Sequence, residues 1–231
     1  MLGDMCGRYA SFRQAQDLAD IFSVGVISPI AAELPLSWNV APTAPVRVIY
    51  EMAQGGELVR MLDAAQWGLV PSWAKDASAS ARMINARSET AAEKPSFRGP
   101  LAYTRCVVPM EGYYEWQASA SGTKQPFYIS SPDGAPLLAA GLTSLWKDEL
   151  LTCTILTRDA RPQLRDVHHR EPVFLNDCAA WLNPTIRDRF EALSLLSGPT
   201  PELVARPVSR LVNSARNNGP ELIAPAGTQP A

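Results

Sequence analysis

The chain has 231 residues, a net charge of −2 and a pI near 5.7. Hydrophobic residues make up 46% and charged residues 19%, which is typical of a globular protein with a sizeable core and excludes one coated in positive charge. A local basic groove stays compatible with this balance. No apolar run reaches the roughly 18 residues of a membrane span and no signal-peptide pattern is present, so we expect the cytoplasm.

The first predicted element is a short helix within "SFRQAQDLADIF". Ser11 and Gln14 have the spacing of a capping box. Apolar residues then follow at helical intervals, at Ala15, Leu18, Ala19 and Phe22. The pattern therefore predicts a helix that Ser11 caps.

Strands dominate the middle of the chain. Residues 45–52 and 57–70 are rich in β-branched residues and flank Gly55-Gly56, which predicts a hairpin. Further apolar runs, separated by Gly, Pro, Ser and Asp, predict strands at 105–116, 125–131, 136–146 and 150–157. Many strands with a few helices predict an α+β fold, a single domain with an antiparallel, barrel-like sheet as its core and short flanking helices.

Two short helices are expected after the strands, in residues 176–182 and 185–196. Asn176 and Thr185 are their predicted caps. The most polar stretch, 117–126, is interpreted as a hairpin loop and not as a linker.

The domain is expected to span residues 6–223. Residues 1–5 are expected to be absent or removed, and the tail 224–231 is expected to be disordered. The four cysteines form no C-x-x-C pair, which argues against a structural zinc site, and we predict neither a metal nor a cofactor. Cys106 and Cys153 lie in strand-like runs and are expected to be buried free thiols.

Cys6 is the first residue with distinctive chemistry. If Met5 is the working start and is removed, the thiol and α-amine of Cys6 share one carbon. An α-amine with a pKa of about 7.7–8 is partly neutral at neutral pH and can form a Schiff base with an aldehyde. The neighbouring thiol can then close a thiazolidine ring. The alternative is a cysteine near a terminus with no chemical role.

Two polar residues in "MINARSET" and one in "EGYYEW" extend this chemistry. Asn85 and Arg87 are two residues apart, so in an extended segment both side chains point to the same side. The amide of Asn85 can donate and accept hydrogen bonds, and the guanidinium of Arg87 can bind a phosphate. A turn before a helix fits the same pattern.

Glu115 stands among aromatic residues that can raise its pKa for acid/base catalysis, although an exposed strand position fits equally well.

"RDVHHREP" holds the chain's two histidines, His168 and His169. Adjacent histidines rarely bind one metal, and other zinc ligands at usable spacing are missing from the sequence around them. One histidine near a carboxylate and a cysteine is a candidate general acid/base. A solvated loop histidine is the alternative.

Eight motifs in one order resemble the SRAP family of SOS-response-associated, abasic-site processing proteins. They run from residue 5 to about residue 223 and read "MCGRY", "WNVAPTAPVRVI", "WGLVPSWA", "MINARSET", "PMEGYYEW", "ILTRDA", "VHHREPVFL" and "VNSARNNGPELI". The resemblance implies that the cysteine becomes N-terminal and forms a thiazolidine with the ring-opened sugar of an abasic site in single-stranded DNA. It assigns catalytic roles to Cys6, Asn85, Glu115 and His168.

The resemblance also assigns DNA contacts and a setting. The DNA-binding residues it suggests are Arg8, Asn39, Trp73, Arg87, Thr157 and Arg170. It implies protection of abasic sites during DNA damage repair, with DNA lyase and autoproteolytic peptidase activity as further expectations. We expect a monomer whose partner is single-stranded DNA with abasic sites, in the cytoplasm and nucleoid-associated during damage.

Two features depart from the family pattern. Glu171 stands where methionine is usual, and it is expected to add a negative charge near the DNA groove. The four residues "MLGD" precede Met5, and with them in place Cys6 has no free α-amine. We expect either a start at Met5 or removal of the extension.

Two other function classes stay open at this point. An N-terminal-nucleophile thiol peptidase or amidohydrolase would turn over a peptide without DNA. A non-covalent reader of modified DNA would bind without Cys6 and would respond strongly to salt.

Overall fold

The structure is a computed structural model, and it describes residues 6–78, 80–118 and 122–227. The strands in these ranges are β1 (Tyr9–Ser11), β2 (Val26–Ile27), β3 (Ser37–Val40), β4 (Pro45–Gln54), β5 (Glu57–Trp67), β6 (Asn85–Arg87), β7 (Arg105–Met110), β8 (Gly112–Ala118), β9 (Lys124–Ser130), β10 (Leu137–Trp146), β11 (Leu150–Asp159), β12 (Arg170–Pro172), β13 (Phe174–Leu175) and β14 (Val204–Pro207). The helices are α1 (Ala15–Phe22), α2 (Pro29–Glu33), α3 (Ser88–Ala91), α4 (Pro95–Tyr103), α5 (Ala179–Leu182) and α6 (Arg189–Ser194).

The strands form two sheets. The smaller sheet has the order β14-β9-β8-β1-β3, and the larger has the order β12-β11-β10-β7-β4-β5-β2. In the larger sheet β11 also pairs with β5, which joins β5, β4, β7, β10 and β11 into a ring. β6 pairs with β11 and β13 with β10, off the main path.

The predicted α+β class and single domain are confirmed, with two refinements. The β2–β5, β5–β11 and β6–β11 pairs are parallel, so the sheets are not purely antiparallel. The two sheets also do not make a clean barrel. The run 105–116 crosses from the larger sheet to the smaller one at Glu111, so it is two strands and not one.

The hairpin around the Gly-Gly pair is confirmed. β4 and β5 pair antiparallel up to Gln54 and Glu57. Gly55 and Gly56 between them have φ values of 63° and 89°, a region that glycine enters without a Cβ clash. The hairpin loop expected within 117–126 joins β8 to β9, and its residues 119–121 lie outside the described part of the chain.

The predicted helix caps are wrong, although the helices exist. Ser11 belongs to β1, and α1 begins after Gln14 without a side-chain cap. Cys178 occupies the N-cap of α5, in place of Asn176. Asp188 caps α6, in place of Thr185, by accepting hydrogen bonds from the two N–H groups of the first turn.

Two large apolar clusters lie on either side of the larger sheet. One includes Trp67, Cys106 and Cys153, and the other includes Trp181 and Leu62. Both predicted buried cysteines are free and buried, as are the other two. Side chains alternate across β7 and β10, so these strands supply both clusters.

The C-terminal segment packs on the domain further than the sequence suggests. Residues 224–226 were assigned to the tail, yet Pro225 forms a bridge with Val208 and the Ala226 N–H donates to the Pro207 carbonyl at 2.9 Å. Residues 228–231 and the leader 1–5 lie outside the described residues. In the described part of the chain, no helix has the length and apolar character needed to cross a membrane.

Candidate functional site

A groove of about 870 Å³ lies at the end of the smaller sheet. Its walls come from the first residues of the described chain, from the β8–β9 hairpin, and from the loop between β11 and β12. The lining residues are Gly7, Arg8, Pro42, Ile84, Glu115, Trp116, Ala118, Lys124, Arg165, Asp166, Val167, His168, His169 and Asn213.

Cys6 directly precedes Gly7 and Arg8, two residues that line this groove. The pairing of β1 with β8 fixes its position, because the Tyr114 N–H donates to the Arg8 carbonyl at 2.9 Å. The Cys6 side chain is 1% exposed and belongs to the apolar cluster of Trp67. Burial raises the pKa of its thiol well above the ordinary value, and the nearby carboxyl of Glu115 raises it further. The thiol is therefore neutral at physiological pH.

Asn85 approaches Cys6 from the larger sheet. It begins β6, which runs parallel to β11 with Asn85 opposite Ile155. Its Nδ2 donates to the Cys6 carbonyl oxygen at 2.7 Å. Its Oδ1 is buried and has no hydrogen-bond partner among the described residues, so one acceptor beside Cys6 is unused.

Glu115 and His168 form an acid/base pair beside Cys6. Glu115 Oε1 lies 3.5 Å from His168 Nδ1. Burial, the dominant cause, raises the pKa of Glu115 from 4.5 to about 8, while the Trp116 N–H and the Lys124 charge lower it less. Glu115 is therefore mostly protonated at neutral pH.

A turn holds the histidine in place. His168 Nδ1 lies 3.1 Å from both the backbone nitrogen and the carbonyl oxygen of Arg170, so the Arg170 backbone fixes the ring whichever tautomer it adopts. The Ala160 N–H donates to the His169 carbonyl and closes the loop at its base. Of the two adjacent histidines, His168 is the one next to the Glu115 carboxyl, and His169 stacks on it with 4.4 Å between ring centroids.

Arg8 lines the groove on the side of the C-terminal segment, and Asn39 supports it from behind. Arg8 Nη1 donates to Asn39 Oδ1 at 2.8 Å and to the Val212 carbonyl at 2.9 Å. Asn39 Nδ2 in turn donates to the carbonyls of Ser214 and Asn217. Asn39 therefore positions Arg8 and the C-terminal segment. The donor and acceptor groups of its side-chain amide are all used in these hydrogen bonds.

The other suggested DNA contacts lie in different settings. Arg170 is buried and its guanidinium binds Glu89, Asp159 and the carbonyl and hydroxyl oxygens of Thr157. Thr157 itself is fully buried. Arg87 is exposed at the end of β6, and Trp73 is 68% exposed on the loop after β5; neither lines the groove.

Glu171 is not a negative charge facing the groove. It is fully buried, and its two carboxylate oxygens accept from Arg158 Nε and Arg161 Nε, each at 2.9 Å. Arg161 Nη1 also donates to the Pro201 carbonyl. The expected repulsion of DNA by this residue is therefore wrong, because two arginines neutralise it inside the protein.

Three further side chains line the groove, of which the sequence suggested only Arg165, as one of several arginines near the motifs. Trp116 donates through Nε1 to Asn213 Oδ1 at 2.7 Å, which fixes its ring at the groove wall. Lys124 and Arg165 add positive charge at the rim. Trp116 directly follows Glu115, so its proximity could have been anticipated, whereas Lys124 and Arg165 are only two of many exposed basic residues.

The site offers organic acid/base and nucleophilic groups. In the described ranges, no group of three His, Cys, Asp or Glu residues has the arrangement to hold a metal ion. A thiol, an amide, a protonated carboxyl and an imidazole come from four separate chain segments. Groups of these types can act as a nucleophile and as proton donors and acceptors.

Comparison with known proteins identifies the family. The family model described as SOS response associated peptidase (SRAP) matches residues 5–215. The chain belongs to the SRAP family. It is 38% identical over 226 residues to the abasic site processing protein YoqW of Bacillus subtilis, covering 95% of this chain and 99% of that one. It is also 35% identical over 196 residues to the abasic site processing protein HMCES of Gallus gallus, covering 72% of this chain and 58% of that one.

Solved structures share the fold. A protein from Bacteroides thetaiotaomicron superimposes with a TM-score of 0.79 at 27% identity, over 96% of this chain and all of that one. A protein from Bordetella bronchiseptica superimposes with a TM-score of 0.72 at 27% identity, over 88% of this chain and all of that one. The two-sheet architecture is therefore that of known proteins.

Proposed function

We propose that this protein processes abasic sites in single-stranded DNA by forming a covalent thiazolidine through Cys6. The observation that carries the proposal is the convergence of Asn85, Glu115 and His168 on Cys6, with a 2.7 Å hydrogen bond to its carbonyl and a protonated carboxyl nearby. The names of the relatives from Bacillus subtilis and Gallus gallus support the same substrate.

The reaction is balanced by the loss of one water. The α-amine of an N-terminal Cys6 attacks the aldehyde of the ring-opened sugar, and the oxygen leaves as water when the Schiff base forms. The thiol then adds across the C=N bond, its sulfur bonding to carbon and its proton going to nitrogen. The buried thiol is neutral, so the amine acts first and the thiol follows within the same residue.

The neighbouring residues supply proton transfers. The protonated Glu115 can donate to the sugar ring oxygen and open it, or to the departing hydroxyl. His168 Nδ1, 3.5 Å from the Glu115 oxygen, can accept a proton during the reaction and then, as the imidazolium, return it to that carboxyl. Asn85 holds the Cys6 carbonyl so that the first residue faces these groups.

The groove gives the DNA a path to Cys6. Arg8, Lys124 and Arg165 provide positive charge for phosphates, and Trp116 presents an aromatic wall beside the catalytic carboxyl. The exposed Arg87 and Trp73 extend this path outside the groove, as a phosphate contact and a stacking face. The same Schiff base would permit β-elimination at the abasic site, which is a DNA lyase activity.

The test is a crosslinking assay on single-stranded DNA with one abasic site. We would compare chains that begin at Met1 and at Met5, measuring intact masses and adducts on denaturing gels. Chains with Cys6 at the N-terminus should form a heat-stable adduct with the summed mass less one water. Cys6→Ala should form none, whereas the matched control Cys178→Ala, at another buried free cysteine, should retain it.

Three outcomes would contradict the proposal. Adduct formation by Cys6→Ala would exclude Cys6 as the reacting residue. Peptide turnover without any DNA adduct would favour a thiol peptidase. Tight binding of abasic DNA by Cys6→Ala, with no adduct from any chain and a strong salt dependence, would favour a non-covalent reader.

A further inference from the structure

A second cavity of about 260 Å³ lies between β3, β4 and the C-terminal segment. It shares no lining residue with the groove at Cys6. Leu34, Pro35, Leu36 and Val46 make much of its wall apolar. With about 30 Å³ for a liquid water, it has the volume of about nine waters, which suits a small organic molecule.

Arg47 brings a buried positive charge to this cavity. Its side chain is only 3% exposed, and its Nε and Nη2 donate to the carbonyls of Ala31 and Leu34. No carboxylate of the described residues lies within ion-pair distance of it. The carboxyl of Glu111 interacts electrostatically with Arg47 from further away. It accepts a hydrogen bond from the Phe12 N–H at 2.6 Å.

A buried guanidinium with carbonyl partners alone is unusual. Proteins normally pair buried charges, because an uncompensated ion in a low dielectric is costly. Burial accordingly lowers the pKa of Arg47, although the guanidinium of an arginine stays protonated. The cavity therefore has one wall that favours an anion.

Tyr9 adds a hydrogen-bonding group to the same cavity. Its hydroxyl is buried and has no hydrogen-bond partner among the described residues. The residue is 1% exposed, and its ring packs edge-on against Trp67 with 5.1 Å between centroids, so the ring cannot turn easily toward solvent. Burial raises the pKa of Tyr9, and the positive charge of Arg47 offsets part of that rise. The two groups are therefore close enough to interact electrostatically.

We propose that this cavity binds a small organic carboxylate, with Arg47 and Tyr9 holding the carboxylate and the apolar wall holding its carbon chain. An anionic oxygen supplies the two things that these groups lack, a countercharge and a hydrogen-bond acceptor. The apolar residues Leu34, Leu36 and Val46 favour a ligand with a short hydrocarbon body over a bare inorganic anion. The cavity is distinct from the groove at Cys6, because no residue lines both, and a hydrogen bond from Arg8 to Asn39 connects their walls.

The test measures binding of acetate, propionate and butyrate to the whole protein by calorimetry and by the shift of its unfolding temperature. Butyramide serves as the neutral analogue and inorganic phosphate as the bare anion. We expect saturable binding that strengthens from acetate to butyrate and is absent for butyramide. One hydrogen bond to a charged group is worth about tenfold in affinity, so Tyr9→Phe should weaken butyrate binding by about that factor.

Arginine variants localise the ligand. Arg47→Met should abolish carboxylate binding, whereas Arg60→Met, on the neighbouring strand and paired with Glu51, should leave it unchanged. If Arg47→Met does not fold, the Tyr9→Phe variant and the butyrate–butyramide comparison decide the question. No saturable carboxylate binding, equal binding of butyramide, phosphate binding as tight as butyrate, or equal loss in Arg60→Met would each overturn the proposal.

Discussion

Glu115→Gln is the most direct test of the electrostatics at the site. The substitution keeps the shape of a protonated carboxyl but removes its ability to ionise. Burial holds the pKa of Glu115 near 8 in the folded protein, against 4.5 for the ordinary side chain. The unfolded chain therefore releases this proton at a lower pH than the folded protein does, and the free energy of unfolding depends on pH.

The sign and size follow from that difference. Below pH 4.5 both states are protonated and Glu115 has no effect on stability. As the pH rises from there to about 8, the folded protein binds more protons than the unfolded chain, so stability is lost. At about 1.4 kcal/mol for each pH unit, the loss is on the order of 5 kcal/mol, and about 4 kcal/mol of it falls between about pH 5 and about pH 9.

The assay is urea unfolding followed by tryptophan fluorescence, over that pH range, for the native protein and for Glu115→Gln. The difference in unfolding free energy between them should change by about 4 kcal/mol in favour of Glu115→Gln as the pH rises. Glu57→Gln, at the exposed tip of the β4–β5 hairpin, is the control and should run parallel to the native curve. Parallel curves for Glu115→Gln would refute a buried, protonated Glu115.

Three further substitutions test the packing and the site. Asn85→Ala loses the hydrogen bond to the Cys6 carbonyl, so single-turnover crosslinking should slow by about tenfold with binding retained. Glu171→Gln leaves two half-buried arginines without their countercharge and should cost about 2 kcal/mol in urea unfolding. Gly68→Ala places a Cβ 2.6 Å from the Ser80 carbonyl oxygen at φ 131° and should cost about 2 kcal/mol in the same assay.

Each of these predictions can fail clearly. An unchanged crosslinking rate in Asn85→Ala would mean that the hydrogen bond to the Cys6 carbonyl does not contribute to the reaction. Native stability in Glu171→Gln would mean that the solvent at the two half-buried arginines replaces their countercharge. Native stability in Gly68→Ala would mean that the short 3-10 turn at Ser80 moves at little cost.

Strand positions were predictable from sequence because alternation and turn residues are local signals. The β4–β5 hairpin needed only two β-branched runs and a Gly-Gly turn. Helix caps were not predictable in the same way. Ser11 has the right spacing for a cap, but β1 pairs it with Ser37 of β3, and this tertiary pairing overrides the local preference.

The site residues were predictable as a set only through the family resemblance. Asn85 lies 79 positions from Cys6 in the chain, and the contact depends on β6 lying against β11. Local composition suggested a buried Glu115, because aromatic residues surround it, but an exposed position was equally compatible. The tertiary fold decides between the two, since the loop between β11 and β12 places His168 against the buried carboxyl of Glu115.

Arg170 and Glu171 illustrate what residue type alone does not determine. The sequence suggests a phosphate contact for the first and an intrusive negative charge for the second. Successive strand residues point to opposite faces, so on β12 Arg170 reaches Glu89 and Asp159, and Glu171 reaches two arginines on the other side.

These ion pairs fix both faces of β12, the strand that begins two residues after His168. Arg170→Gln and Glu171→Gln should therefore both displace the imidazole from Glu115, although only the first removes a group suggested to bind phosphate. If the two variants lose crosslinking rate equally and retain DNA affinity, positioning of His168 accounts for both. If Arg170→Gln alone loses affinity in a salt-dependent way, its guanidinium leaves its carboxylate partners to contact DNA.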